Sequence, residues 1–186
     1  MMNTLHQKLF KKAFANEKGT SNGFNSIIKM IHLTLLKTMF DKNEIKAHLE
    51  ALQLERIQSI QSAMDLLRND LHSESKSSAG DKYETGRAMI HLEMEKLQSS
   101  LSEYQQQLSE VRRLPTSPSD EVGFGTIVVT KEMIFYISIS LGKISTTWGE
   151  LICLSQSAPI AKQLKGKRKN DTAIFNAKTI SLIEVL

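Results

Sequence analysis

Asp81 and Glu84 stand three residues apart in the run Gly80-Asp81-Lys82-Tyr83-Glu84. Two carboxylates this close repel one another, and without a cation one of them tends to keep a proton. A divalent cation removes that penalty. Mg²⁺ suits the pair, because it prefers oxygen ligands, retains several waters and is commonly held by one or two carboxylates plus phosphate. Two carboxylates alone do not make a tight site, so any such ion must be shared with a partner. The same spacing also starts helices, with Asp81 as N-cap and Glu84 three positions on. Spacing does not separate these two uses, which are compatible. Lys82 puts a cation beside the acids, and Lys76 and Arg87 lie close in sequence. These three could meet phosphate or could be a solvated helix end.

Other chemistry-bearing residues are less informative. Cys153, the only cysteine, excludes a disulfide framework and a cysteine-rich zinc site, and its run Leu151-Ile152-Cys153-Leu154 predicts a buried, inert thiol. His91 lies beside an apolar seam position with no second histidine at ligand spacing, and is given no metal role.

The acids sit between two helical patterns. Before them, an apolar stripe runs Ile45, Leu49, Leu52, Ile57, Ile60, Met64, Leu67, Leu71, with a one-residue slip between Gln53 and Ile57. After them, Ile90, Met94, Leu97, Leu101, Tyr104, Leu108 and Val111 recur at heptad spacing. Asp41 can cap the first helix, expected over Asp41–Asp70. Ser73, Ser75, Ser77 and Ser78 favour a turn. The second helix is expected to begin between Asp81 and Thr85 and to reach Arg113. Residues 41–113 therefore read as an antiparallel coiled-coil hairpin with its tip at 72–84. Each helix, of about thirty residues, would be roughly 45 Å long. The seam leaves no concave pocket, so chemistry on this half belongs at the tip.

Pro115 and Pro118 mark a linker over 114–121. Strand patterns follow at Phe124–Thr130, at Met133–Leu141 (apolar residues alternating with Ser138 and Ser140) and at Ile144–Leu154. Ser157 is expected to cap a short helix, Ala158–Leu164, with Pro159 in its first turn and Gly166 at its end. Thr172–Phe175 and Thr179–Val185 complete the domain at 122–186. The fold class is α+β: a helical hairpin followed by a small antiparallel sheet with one short helix. Tyr136 and Trp148 are expected in its core or rim.

The net charge of +4 is local in origin. Residues 1–37 hold six lysines and one acid, a balance of +5, while the remainder has 18 basic and 19 acidic residues, a balance of −1. The chain is thus not a general polyanion binder. Residues 1–37 are expected to be a poorly ordered basic extension, with a membrane-surface or nucleic-acid arm as the alternative. The apolar run from Ile27 to Phe40 is too short to span a bilayer, and no signal-peptide pattern is present. Hydrophobic content of 40% is low for a globular chain and fits a hairpin with a narrow seam joined to one compact domain.

Over about residues 41–186 the sequence resembles the Gre transcript-cleavage factors, a family of transcription elongation factors of bacterial RNA polymerase. Two motifs carry the resemblance. The family's tip, G-D-L-S-E-N-A-E-Y, is G-D-K-Y-E-T-G-R-A here, with Gly80, Asp81 and Glu84 kept. The second, S-P-[IL]-G-x-A-L-L-G-K-x-x-G-D-x-V, keeps Pro159, Leu164, Gly166, Lys167 and Asp171 in register. Lys82-Tyr83 replaces Leu-Ser between the acids, Ala158 replaces a serine and Asn170 a turn glycine. Asn is the best substitute in a left-handed conformation.

The resemblance implies an FKBP-like C-terminal domain and a cytoplasmic protein, expected to be a monomer and not itself an enzyme. It implies a hairpin that enters the secondary channel of RNA polymerase. There Asp81 and Glu84 would act in trans on the polymerase's cleavage of backtracked RNA and share its second Mg²⁺, with no cofactor held tightly alone. It brings Lys76, Lys82 and Arg87 near the transcript 3′ end, with DNA met only indirectly. Ser157, Ala158, Pro159 and Ile160 would lie near the polymerase contact, although a plain helix start accounts for them equally. No membrane partner is implied. Two alternatives stand beside this reading: a secondary-channel regulator that does not stimulate cleavage, and an FKBP-like or coiled-coil interaction module.

Overall fold

The computed structural model describes residues 40–74, 82–146 and 149–186, with only the backbone at 72–74, 82–84 and 149. The expected basic extension, Lys76, Asp81 and Trp148 lie outside the described residues. The described residues divide into two compact units: Ala47–Arg113, and Leu114–Leu186 together with residues 40–46.

The first unit is helical. α1 spans Lys42–Glu74 and α2 spans Lys82–Arg112. The Asp41 carboxylate accepts a hydrogen bond of 2.8 Å from the Asn43 N–H, satisfying one of the orphan donors at the start of α1. α1 runs one turn beyond the expected Asp70, through the first of the serines. The helices are antiparallel. Arg112 Nε donates to Glu50 Oε1 at 2.8 Å, and the Arg56 guanidinium lies over the Tyr104 ring, 5.4 Å from its centroid. Ile57, Met64, Leu101 and Leu108 form the seam core, flanked by half-buried Ile60, Leu97 and Tyr104. Glu93, Glu95 and Lys96 are exposed, as their places off the seam require. One seam position departs from expectation. Leu52 is only half-buried, and Gln53 is fully buried in its stead. Steps of four from Ile45 through Leu49 and Gln53 to Ile57 keep the stripe facing inward, which a search for apolar residues alone missed.

The second unit is built on six strands: β1 (Ile127–Thr130), β2 (Ile134–Ser138), β3 (Gly142–Thr146), β4 (Gly149–Ser155), β5 (Thr172–Phe175) and β6 (Lys178–Val185). Their order is β3-β4-β2-β1-β6-β5. The expected antiparallel sheet is mixed: β2 pairs with β4 in parallel, with Tyr136 opposite Cys153. The parallel pair arises because the chain leaves β2, reverses through β3 and returns as β4 between them. The single strand region expected over Ile144–Leu154 is therefore two antiparallel strands. β2 also lacks the expected half-buried alternation. Phe135 to Ile139 are all buried, Ser138 included, because both of its faces are covered.

A short helix, α3 (Pro159–Leu164), presses Ala161 and Leu164 onto Val122, Val128, Phe135, Ile137, Ala173, Leu182 and Val185. Ser157 does not cap it. Ala158 holds the N-cap position without a side-chain hydrogen bond, and the Ser157 hydroxyl lies 2.8 Å from that of Ser155. With Pro159 at the helix start, one N–H that a cap would serve is already missing. Gly166 ends the helix at φ +74°, and Asn170 takes the left-handed conformation at φ 70°, the role expected of it.

Candidate functional site

The predicted acidic site falls where α1 passes to α2. Asp81 immediately precedes the first residue of α2, and Glu84 lies in the first turn of that helix. The described parts of the hairpin fix its register. Glu50 pairs with Arg112 and Arg56 with Tyr104. Residue 81 is the midpoint of the first pair in sequence, and residue 80 is the midpoint of the second. The two contact pairs are thus symmetric in sequence about residues 80–81.

Packing along the hairpin is graded. Leu108 and Val111 are buried, whereas Ile90 and Met94, the seam residues of α2 nearest its start, are only half-buried. Arg87 is exposed, as are Met89 (68%) and Leu92 (55%) on α2 and Leu66 (66%) on α1. Sequence reading did not single out these three apolar side chains, although each sits off the heptad stripe, where a polar residue is the rule. Asp65 and Arg68 pair at 2.7 Å, a solvent-exposed i,i+3 contact. Among the described residues no three of His, Cys, Asp and Glu come together as a metal site. The donor set named for Mg²⁺ is Asp81 and Glu84, two oxygen ligands of the kind that ion takes.

The segment 114–121 is fastened at several points within its unit. Lys42 Nζ donates to the Ser117 carbonyl at 2.9 Å, and Lys46 Nζ donates to the Leu114 carbonyl at 3.0 Å. Lys42 is 6% exposed, and burial pushes its pKa down to about 8. Gly125, at φ +80°, lets Pro115 pack against it: a Cβ there would lie 2.5 Å from Pro115 Cδ. Arg168 pairs with Glu121 at 3.1 Å, and Lys169 with the nearly buried Glu184 at 2.6 Å. Of the four nearby cations Lys165, Lys167, Arg168 and Lys169, two are therefore engaged in ion pairs.

The residues at the start of α3 divide by exposure. Ser157 and Pro159 are exposed, while Ala158 and Ile160 are half-buried against the sheet core. Tyr136 and Cys153 lie in the interior. Burial pushes the Tyr136 phenol well above its ordinary value, with the neighbouring Cys153 adding to the effect, and its hydroxyl has no hydrogen-bond partner among the described residues. Burial pushes the Cys153 thiol up to about 11, against a hydrogen bond with the Ser138 side chain that works the other way. At neutral pH this is an unreactive thiol.

A solved structure of the transcription factor Gfh1 is similar to this chain. The similarity covers 74% of this chain and 92% of that one, at 14% identity and a TM-score of 0.29. No family model and no curated protein matches the sequence. No helix among the described residues is long and apolar enough to cross a membrane.

Proposed function

We propose that this protein binds bacterial RNA polymerase and inserts its helical hairpin in the secondary channel to stimulate cleavage of backtracked RNA. The reading rests on the two sequence motifs and on a helical hairpin followed by a sheet unit with one short helix. The observation that carries it is the hairpin register, symmetric in sequence about Gly80-Asp81, the step that begins the acidic motif.

In this mechanism the polymerase performs the hydrolysis. Asp81 and Glu84 would supply carboxylate oxygens to a Mg²⁺ site completed by polymerase and RNA groups. Bound there, Mg²⁺ would supply stabilisation of charge on phosphate and activation of a water. The mutual repulsion of the two carboxylates would be relieved only in the complex. Lys76, Lys82 and Arg87 would neutralise phosphates near the transcript 3′ end. Exposed Ser157 and Pro159, with Ala158 and Ile160 behind them, would meet the polymerase surface.

A second reading, a channel regulator without cleavage activity, is favoured by one feature: Lys82 and Tyr83 stand between the two acids. A lysine so close in sequence would compete with a metal for the carboxylates, and the tyrosine would replace a small residue of the family's motif by a bulky one.

Backtracked polymerase complexes mixed with wild-type protein, Asp81→Asn or Glu84→Gln, with RNA shortening followed over time, test the proposal. Shortening by wild type alone, with binding retained in all three, is expected. Binding without shortening supports the regulator, and absence of binding overturns both readings.

A further inference from the structure

Gln53 is fully buried in the hairpin seam, and neither its amide nitrogen nor its amide oxygen has a hydrogen-bond partner among the described residues. The buried Oε1 of Gln107 is unpartnered too, while its Nε2 donates to Glu103 at 3.0 Å. The hairpin register brings the two amides to the same level. Between the pairs Glu50–Arg112 and Arg56–Tyr104, Gln53 faces the stretch of α2 that contains Gln107. An uncompensated buried amide is costly, and a donor on one helix with a free acceptor on the other is the arrangement that relieves the cost.

The apolar heptad positions of the seam do not fix the register by themselves. Ile57, Met64 and Leu71 repeat every seven residues, as do Met94, Leu101 and Leu108, and Leu97, Tyr104 and Val111. Sliding one helix by a heptad, about 10 Å, returns apolar residues to apolar neighbours. Gln53 breaks that degeneracy. In a hairpin slipped by one heptad it would face the level of Leu101 or lie beyond the end of α2, its amide stranded.

We propose that Gln53 and Gln107 form an interhelical amide clasp, made directly or through one trapped water, that holds the hairpin in a single axial register. Gln53 is then a positioning residue. A slip of one heptad would move the sequence midpoint of the hairpin by about three to four residues, away from the start of the acidic motif. The clasp does not depend on the polymerase; only its consequence for the acids rests on the function proposed above.

The test uses the full-length protein without polymerase, so its failure is distinct from failure of the functional reading. Spin labels on cysteines replacing the exposed Glu55 and Gln105 report interhelical distance. Cys153, 1% exposed, takes no label. One distance is expected in the otherwise native chain. Gln53→Leu is expected to add a second, longer distance from an axial slip of about 10 Å. Gln107→Met is expected to do the same, and serves if Gln53→Leu does not fold, since Gln107 is only half-buried. A single native distance in the variants would overturn the clasp.

Discussion

The hairpin and the sheet unit solve the problem of burial in opposite ways. In the hairpin each helix offers one stripe, and the seam core shades from buried to half-buried along α2 towards its start. In the sheet unit β1 is buried throughout, and β2 nearly so. The first arrangement leaves long polar faces with Leu66, Met89 and Leu92 exposed among them; the second buries more of its apolar residues, although Ile174 stays 69% exposed and Met133 43%. The sheet unit holds its shape through pairings between strands distant in sequence, and the hairpin holds its own through one narrow seam.

Truncation of one core residue in each unit should break or sharpen that contrast most strongly. Leu164→Ala, in the fully buried core beneath α3, should cost about 2–5 kcal/mol. Leu101→Ala in the seam should cost about 2 kcal/mol, near the low end for such changes, because one side of the seam can relax towards solvent. Urea unfolding of both variants measures the difference, and equal costs would show a hairpin packed like a globular core.

A smaller effect of opposite sign is expected at Tyr136. Its hydroxyl is buried and unpartnered among the described residues, so Tyr136→Phe should stabilise the sheet unit by about 1 kcal/mol. A loss of stability would mean that the hydroxyl has a partner in solution.

A pH dependence is expected where α1 begins. The Lys42 pKa is pushed down to about 8, so between pH 8 and its ordinary value of 10.5 the unfolded chain binds the extra proton. Lys42 should therefore make stability rise with pH across that window and stay at its lower level below it. Cys153 acts in the opposite sense above pH 9, because its thiol keeps its proton to about 11 in the folded state. Comparing wild type with Lys42→Met isolates the lysine: its upward contribution should vanish in the variant.

The same contrast explains what could be read from sequence. The helices were legible because heptad periodicity is local, and so were the Asp41 cap, the buried thiol and left-handed Asn170. Gln53 escaped because a polar residue does not register in an apolar stripe, although steps of four from Leu49 and to Ile57 mark it as inward. The parallel pairing of β2 with β4 escaped because strand patterns report faces, not neighbours. Alternation of apolar residues with Ser138 reads as a strand with one wet face, whereas both faces of β2 are covered. The acidic motif was legible as a type and spacing, and it begins near the sequence midpoint of the two interhelical contact pairs.

The central claim, that Asp81 and Glu84 complete a Mg²⁺ site inside the polymerase, is tested most directly by the Mg²⁺ dependence of RNA shortening in backtracked complexes. With wild-type protein the rate should rise and saturate at low Mg²⁺. With Asp81→Asn or Glu84→Gln the curve should move to higher Mg²⁺ or flatten, while binding to the polymerase is unchanged. A wild-type protein that binds yet leaves the rate unaltered at every Mg²⁺ concentration would contradict the account.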